Sequence, residues 1–144
     1  MLKVTVVHAK LTKDVESFGK QDPYVKITYM GTPYKTVVHQ NGGKSPVWNQ
    51  TFDIRIGGMG DELLLEVKDE DVVGAKFIGH ATIKASALCI NGGVREYFTI
   101  TEKKGGSVGQ VMLDTKFTAD GATQKPAGAT VVQPQMAYAM PQYP

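Results

Sequence analysis

The chain has 144 residues, 42% of them hydrophobic and 21% charged, with a formal net charge of +2. That length fits one domain plus a tail and supports a core without staples, while so small a charge gives no bulk attraction to nucleic acid. The one cysteine, Cys89, cannot close an intramolecular disulfide, which points to a reducing intracellular compartment, and no apolar run approaches the ~20 residues that span a bilayer, so any membrane contact is expected to be peripheral.

The dominant hydrophobic period is two, the mark of half-buried strands. It begins at once: Leu2, Val4 and Val6 alternate with Lys3 and Thr5, leaving no room for a signal peptide. Val25, Ile27 and Tyr29 form the second run, and Tyr34 to His39 a β-branched but less regular third. Phe52, Ile54 and Ile56 follow, then Leu63, Leu65 and Val67, then Phe77 to Ile83, then Tyr97 to Ile100, and last Val111, Leu113, Thr115 and Phe117. Gly, Pro and Asn punctuate the gaps, at Gly31-Thr32-Pro33, Asn41-Gly42-Gly43, Gly57-Gly58, Asn91-Gly92-Gly93 and Gly105-Gly106. Ser86 to Ile90 predicts one helical turn, and Trp48, beside the Pro46 turn, a core residue. About eight short strands with regular turns predict an all-β, eight-stranded antiparallel β-sandwich over residues 1–118. From Ala119 the pattern stops. Residues 119–144 carry Pro126, Pro134, Pro141 and Pro144 among Gln, Ala and Gly. Such a segment buries too little apolar area to offset its ordering entropy, so a disordered tail is expected. Its Pro/Gln-rich end is either inert or a docking segment for a protein partner with an aromatic-lined groove.

Two acidic turns carry the chemistry. One is Glu16-Ser17-Phe18-Gly19-Lys20-Gln21-Asp22-Pro23-Tyr24; the other is Asp69-Glu70-Asp71-Val72-Val73-Gly74. Calcium takes six to eight oxygens from carboxylates and carbonyls at flexible distances. Glu16, Asp22, Asp69 and Asp71 could supply carboxylates, and Val15 and Glu70 carbonyls. One isolated acidic turn would more often be solvated or capping local backbone. Two of them gain weight because loops cluster at the ends of a sandwich.

Rival motifs fail on spacing. Asp69, Asp71 and Gly74 begin like an EF-hand loop, but Val73 stands at its fifth position and His80 where a bidentate Glu is needed. Gly43-Lys44-Ser45 resembles the end of a phosphate loop, yet Val38 replaces the first Gly and Pro46 blocks the helix. The three histidines lack zinc spacing, and no nucleophile sits in a catalytic context. The chain does not read as an enzyme.

Leu2 to Ala9, Gly19-Lys20-Gln21-Asp22-Pro23-Tyr24-Val25-Lys26, Lys35-Thr36, Pro46-Val47-Trp48-Asn49, Phe52, Leu65-Glu66-Val67-Lys68-Asp69-Glu70-Asp71 and Ile78-Gly79, in that order, resemble a C2 domain. The resemblance covers about residues 1–118. With no strand before Leu2 and a last strand over Val108 to Phe117, it is similar to the permuted form called type II. It implies calcium and membrane bound by loops at one end. Glu16, Asp22, Asp69 and Asp71 fall on four of the family's five acidic positions, Glu16 where Asp is usual. The fifth position, in a slightly short loop, holds Lys76. The expectation is one ordinary calcium site and a weak or lipid-dependent second. Alternatively, Lys76 stands in for the second cation and pairs with Asp71 or a lipid phosphate. Phe18, Val72 and Val73 are expected at loop tips as membrane contacts, with Lys76 beside them. Tyr24, Lys26 and Lys35, extended by Lys44, resemble the family's phosphoinositide-binding positions.

The implied function is calcium-dependent peripheral binding to anionic phospholipid by a monomeric signalling adaptor, cytoplasmic and recruited to membranes as calcium rises. The alternative is a calcium-independent module acting through its basic face or its tail.

Overall fold

A computed structural model describes residues 1–16 and 19–119; Ser17, Phe18 and the segment from Asp120 onward lie outside it. The expected tail therefore falls almost wholly outside the described residues, and so does the expected membrane contact Phe18.

The described chain folds into eight antiparallel strands: β1 (Leu2–Leu11), β2 (Pro23–Tyr29), β3 (Thr32–Lys35), β4 (Val47–Ile54), β5 (Glu62–Asp71), β6 (Gly74–Lys84), β7 (Arg95–Thr101) and β8 (Ser107–Phe117). Their hydrogen-bonded order is β3-β2-β5-β6-β7-β8-β1-β4. The β6–β7 link is a single register pair, His80 with Thr101. The array therefore divides into two four-stranded halves of a nearly closed sandwich around one core. The first strand pairs with the last, as the permuted topology requires.

Period-two patterning builds that core. Leu2, Val4 and Val6 from β1, Val25 and Ile27 from β2, Leu63, Leu65 and Val67 from β5, and Val111 and Leu113 from β8 are buried within one cluster. Each such side chain contributes ~1.5–3 kcal/mol by leaving water. A bulge in β1 between Val6 and His8 shifts the register and turns Ala9 and Leu11 inward. Trp48 packs in the core and donates its indole N–H to the Pro23 carbonyl at 3.0 Å. The predicted helical turn is α1 (Ala85–Cys89), followed by a 3-10 turn over Ile90–Gly92.

The irregular third run differs from expectation. The strand spans Thr32–Lys35 and stops at Thr36. There the side chain takes over, its hydroxyl oxygen accepting the Val25 N–H at 2.9 Å while Thr36 N–H donates to the Val25 carbonyl. Closure between the halves depends on Gly79, where a Cβ would stand 2.6 Å from Val108.

Register fixes which loops share an end. Pro23 at the start of β2 pairs with Asp69 near the end of β5, and Asp71 pairs with Gly74 at the start of β6. Leu11 at the end of β1 pairs with Gly109 near the start of β8, and Thr101 at the end of β7 pairs with Ser107. The β1–β2, β5–β6 and β7–β8 connections thus lie together, and so does the β3–β4 loop, since His8 pairs with Val47.

Candidate metal centre

The first acidic turn is shaped by a buried amide. Gln21 is fully buried. Its side-chain NH₂ donates to the carbonyls of Lys13 and Gly43, and its carbonyl oxygen accepts the Val15 N–H. Both amide donors and the amide oxygen bond to loop backbone, which ties the β1–β2 connection to the β3–β4 loop. Asp14 works beside it: its two oxygens accept the N–H groups of Glu16 and Gln21 at 2.8 and 2.9 Å. Asp14 is thus a backbone brace. Asp and Gln are common in loops for many reasons, so neither role announces itself in the sequence.

The second acidic turn is tighter than the family pattern implies. The pairing of Asp71 with Gly74 leaves a two-residue hairpin, Val72-Val73. Gly74 carries the positive φ, 138°, that neither β-branched residue would tolerate well. The strands thus zip almost to the tip, where Val72 is 98% and Val73 91% exposed. Zipping also sets Lys76 directly opposite Asp69 across the ladder.

Four carboxylates border the gap between the turns, Glu16, Asp22 and Asp71 along an open cleft and Asp69 beside Asp22 and Glu16. Asp69 is fully buried. One of its oxygens accepts the Asp22 N–H at 2.6 Å, while the other, Oδ2, is buried with no donor. The group within reach of Asp69 is another carboxyl, Glu16. Two acceptors face each other, which only a shared proton or a cation can reconcile. Burial, reinforced by Glu16, pushes the Asp69 carboxyl from its ordinary 3.8 up to about 6. Glu16 moves the other way, held below its usual range by hydrogen bonding to Asp69 and then to Lys76. Asp22 turns one oxygen to the Asn41 N–H at 2.7 Å, and Asp71 accepts the Val72 N–H at 2.7 Å. Glu16, Asp22, Glu70 and Asp71 line an open cleft of 300 Å³ with Gln40 and Val72. Glu70 is exposed; its backbone N–H binds the Asp22 carbonyl.

Lys76 occupies the space between the turns. Its ammonium lies 3.1 Å from Glu16 and 3.8 Å from Asp71. That contact, Glu16 first, raises its pKa. Among the described residues, no group of three or more His, Cys, Asp and Glu side chains stands close enough to hold a metal ion. The donor set still fits a hard cation. It is all oxygen, it includes a buried Asp69 oxygen without a donor and a second carboxyl, Glu16, within reach of Asp69, and its rim is open. Asp69 and Glu16 would hold such an ion, with Asp22 and Asp71 at the sides.

The basic positions separate into two groups. Lys35 lies over the Tyr24 ring, 4.4 Å from its centroid, and pairs across the ladder with Lys26. Lys68, missed in the sequence, joins them opposite Tyr24; only the register reveals it. Lys44 stands apart from this group. Its carbonyl accepts the Leu11 N–H, and it lines a different cleft with Asp14, Lys20 and Ser45.

The family model described as C2 domain matches residues 1–100. The chain is 34% identical over 122 residues to Synaptotagmin-5 of Arabidopsis thaliana, covering 83% of this chain and 21% of that protein. It is 30% identical over 139 residues to Elicitor-responsive protein 1 of Oryza sativa subsp. japonica, covering 86% of this chain and 87% of that one. A solved C2 domain-containing protein from a putative elicitor-responsive gene superposes with a TM-score of 0.71 at 25% identity, over 89% of this chain and 92% of that one. The chain spans about a fifth of the length of Synaptotagmin-5 and of Synaptotagmin-4 of Arabidopsis thaliana.

Proposed function

The chain belongs to the C2 domain family, and on that premise we propose that it is a peripheral membrane-binding module that takes up Ca²⁺ at its acidic end and then docks on anionic phospholipid. The observation that carries the calcium step is the fully buried Asp69 carboxyl, which has one oxygen without a donor and the Glu16 carboxyl within its reach. A divalent cation resolves that opposition and turns a repulsive end into one that accepts anionic headgroups. This is an electrostatic switch that needs little backbone movement. Glu16, Asp22, Asp69 and Asp71 are its ligands, with the Val15 and Glu70 carbonyls as further oxygens. The protein is then soluble at rest and recruited as calcium rises.

Co-sedimentation with phosphatidylserine vesicles tests the trigger. Binding should appear with calcium and disappear with chelator, and Asp69→Asn combined with Asp71→Asn should remove it. Identical binding in calcium and chelator would overturn it.

The hairpin tip supplies the apolar part. Val72 and Val73 stand almost fully in water, and burying such a side chain in an acyl layer contributes ~1.5–3 kcal/mol at most. Replacing both by Ala should weaken vesicle binding roughly 10-fold or more, since 1.4 kcal/mol is a factor of ten. The melting temperature should stay put, because neither side chain packs on the core. A variant that binds as well as the parent would remove the tip from the mechanism.

A second reading rests on Lys76, whose ammonium already pairs with Glu16 and Asp71. In that reading the protein works without calcium, through phosphoinositide contacts at Tyr24, Lys26 and Lys35 or through a protein partner of the tail. Recruitment then survives chelator and is lost on charge removal from β2 and β3, or on deletion of residues 119–144.

A further inference from the structure

The lysines of the described chain stand in different settings. Lys3, Lys13, Lys76 and Lys84 sit in ion pairs. Lys10 rests on Tyr97 in the other half of the sandwich, and Lys35 and Lys103 rest on Tyr24 and Phe77. The register connects the last two aromatics. Tyr24 pairs with Lys68 across β2 and β5, and Lys68 pairs with Phe77 across β5 and β6. Lysine and aromatic therefore alternate across the whole half-sandwich, from Lys35 at one edge to Lys103 beyond the other. The far end of this row falls outside the positions that resemble the family's phosphoinositide site.

At that far end the β7–β8 turn overhangs a cleft of 350 Å³ lined by Lys13, Phe77, Ile78, Glu102, Lys103 and Lys104. Its walls are set by the turn. Glu102 N–H binds the Gly106 carbonyl, and Gly105 N–H returns to Glu102. Gly106 has no Cβ, and the Glu102 carboxylate fits 3.2 Å from where one would stand. That carboxylate is taken up by Lys13 at 2.8 Å. Lys103 and Lys104 are exposed, and neither is in an ion pair among the described residues. Three ammonium groups and one carboxylate leave the cleft with two uncompensated positive charges. Phe77, half-buried, gives it an apolar floor. The turn shares its end of the sandwich with the acidic loops and the Val72-Val73 tip, so a membrane reached by the tip also meets this cleft.

We propose that this cleft is a phosphate site separate from the calcium loops and from the Tyr24 face, with Lys103 and Lys104 taking the dianionic phosphate monoester of a lipid headgroup over Phe77. The charge match favours a monoester over the singly charged diester of ordinary phospholipid. Two lysines at a membrane surface add affinity without any divalent ion. The proposal rests on the membrane-binding reading but not on its calcium step.

The test uses the full chain in chelator, so that the calcium trigger plays no part in the result. Vesicles of phosphatidylcholine containing phosphatidate are compared with phosphatidylcholine alone. The parent should bind the phosphatidate vesicles, and Lys103→Gln with Lys104→Gln should weaken that binding by about 5-fold for each lysine at an unchanged melting temperature. In a second arm, inorganic phosphate is titrated against the free protein while the Phe77 ring resonances are followed. Ring shifts lost in the double variant support the site. Ring shifts with no preference for phosphatidate vesicles would overturn the lipid source in favour of a soluble phosphate monoester. Equal vesicle binding by parent and variant, with no ring shift, would overturn the site itself, while the calcium response in phosphatidylserine would stand or fall separately.

Discussion

Asp69→Asn is expected to stabilise the calcium-free protein at pH 7 and at the same time abolish its response to calcium. The carboxyl is fully buried, with one oxygen satisfied by the Asp22 N–H and the other without a donor. Its pKa is raised to about 6, first by burial and then by Glu16. At pH 7 the folded protein must therefore hold an unfavourable charge that the unfolded chain carries freely. An amide at this position keeps the acceptor for Asp22 and offers Glu16 a donor in place of a second acceptor. Converting the shift at ~1.4 kcal/mol per unit, and allowing for relaxation at the cleft, gives a gain of about 1–3 kcal/mol. For a domain of this size that is several degrees in melting temperature.

The pH dependence has a definite sign. A carboxyl whose folded pKa lies above its unfolded one binds more protons when folded, so its stabilising contribution is full below the unfolded value and is lost as pH rises through the folded one. Without calcium, the parent should lose stability relative to the Asn variant between about pH 4 and pH 6, and the two should converge toward pH 4. Glu16, with its pKa lowered, slopes the opposite way. The amide can still donate to it, so the comparison isolates Asp69. Calcium should reverse the ranking, because a ligand selective for the folded state raises stability by mass action. Melting curves over this pH range, with chelator and with calcium, check both parts. A variant less stable than the parent in chelator at pH 7 would show that the Asp69 charge is already compensated.

The strand pattern was legible because each half of the sandwich buries one face, and period two writes that directly into Leu2, Val4, Val6 and their counterparts. Trp48 and the helical turn at Ala85–Cys89 were legible for the same local reasons. The bulge at Val7 and the early end of β3 were not. Both depend on which backbone groups a neighbouring strand offers, and at Thr36 on a hydroxyl that completes the ladder. The carboxylates could be picked out by type and spacing, but their states could not. Asp22, Asp69 and Asp71 look alike in the sequence, and burial, with Glu16 beside it, sets Asp69 apart. Lys68 and Lys103 became part of a charged row only once register set them beside Tyr24 and Phe77.

On the proposed calcium reading, Lys76 is expected to set how many cations the acidic end takes, and its replacement should have the largest effect on calcium itself. Its ammonium bridges Glu16 and Asp71 from a position directly opposite Asp69. It thus occupies the ground that a second divalent ion would need, and its charge opposes the first. Lys76→Ala removes both obstacles. Calcium affinity should rise about 10-fold or more, since the ligands' net charge tunes affinity strongly at such sites. The calcium-free protein should become less stable, because Glu16, Asp69 and Asp71 then face one another with no cation among them. Lys76→Asp goes further by adding a carboxylate at the hairpin, and should raise the stoichiometry from one ion to two. Titration calorimetry reads affinity and ion count together, and melting in chelator reads the cost of removing the internal cation. The two readouts must move in opposite directions: tighter calcium and a weaker calcium-free fold. If Lys76→Ala leaves affinity unchanged, the ammonium swings clear on its own when calcium arrives, and the short hairpin rather than the lysine limits the site.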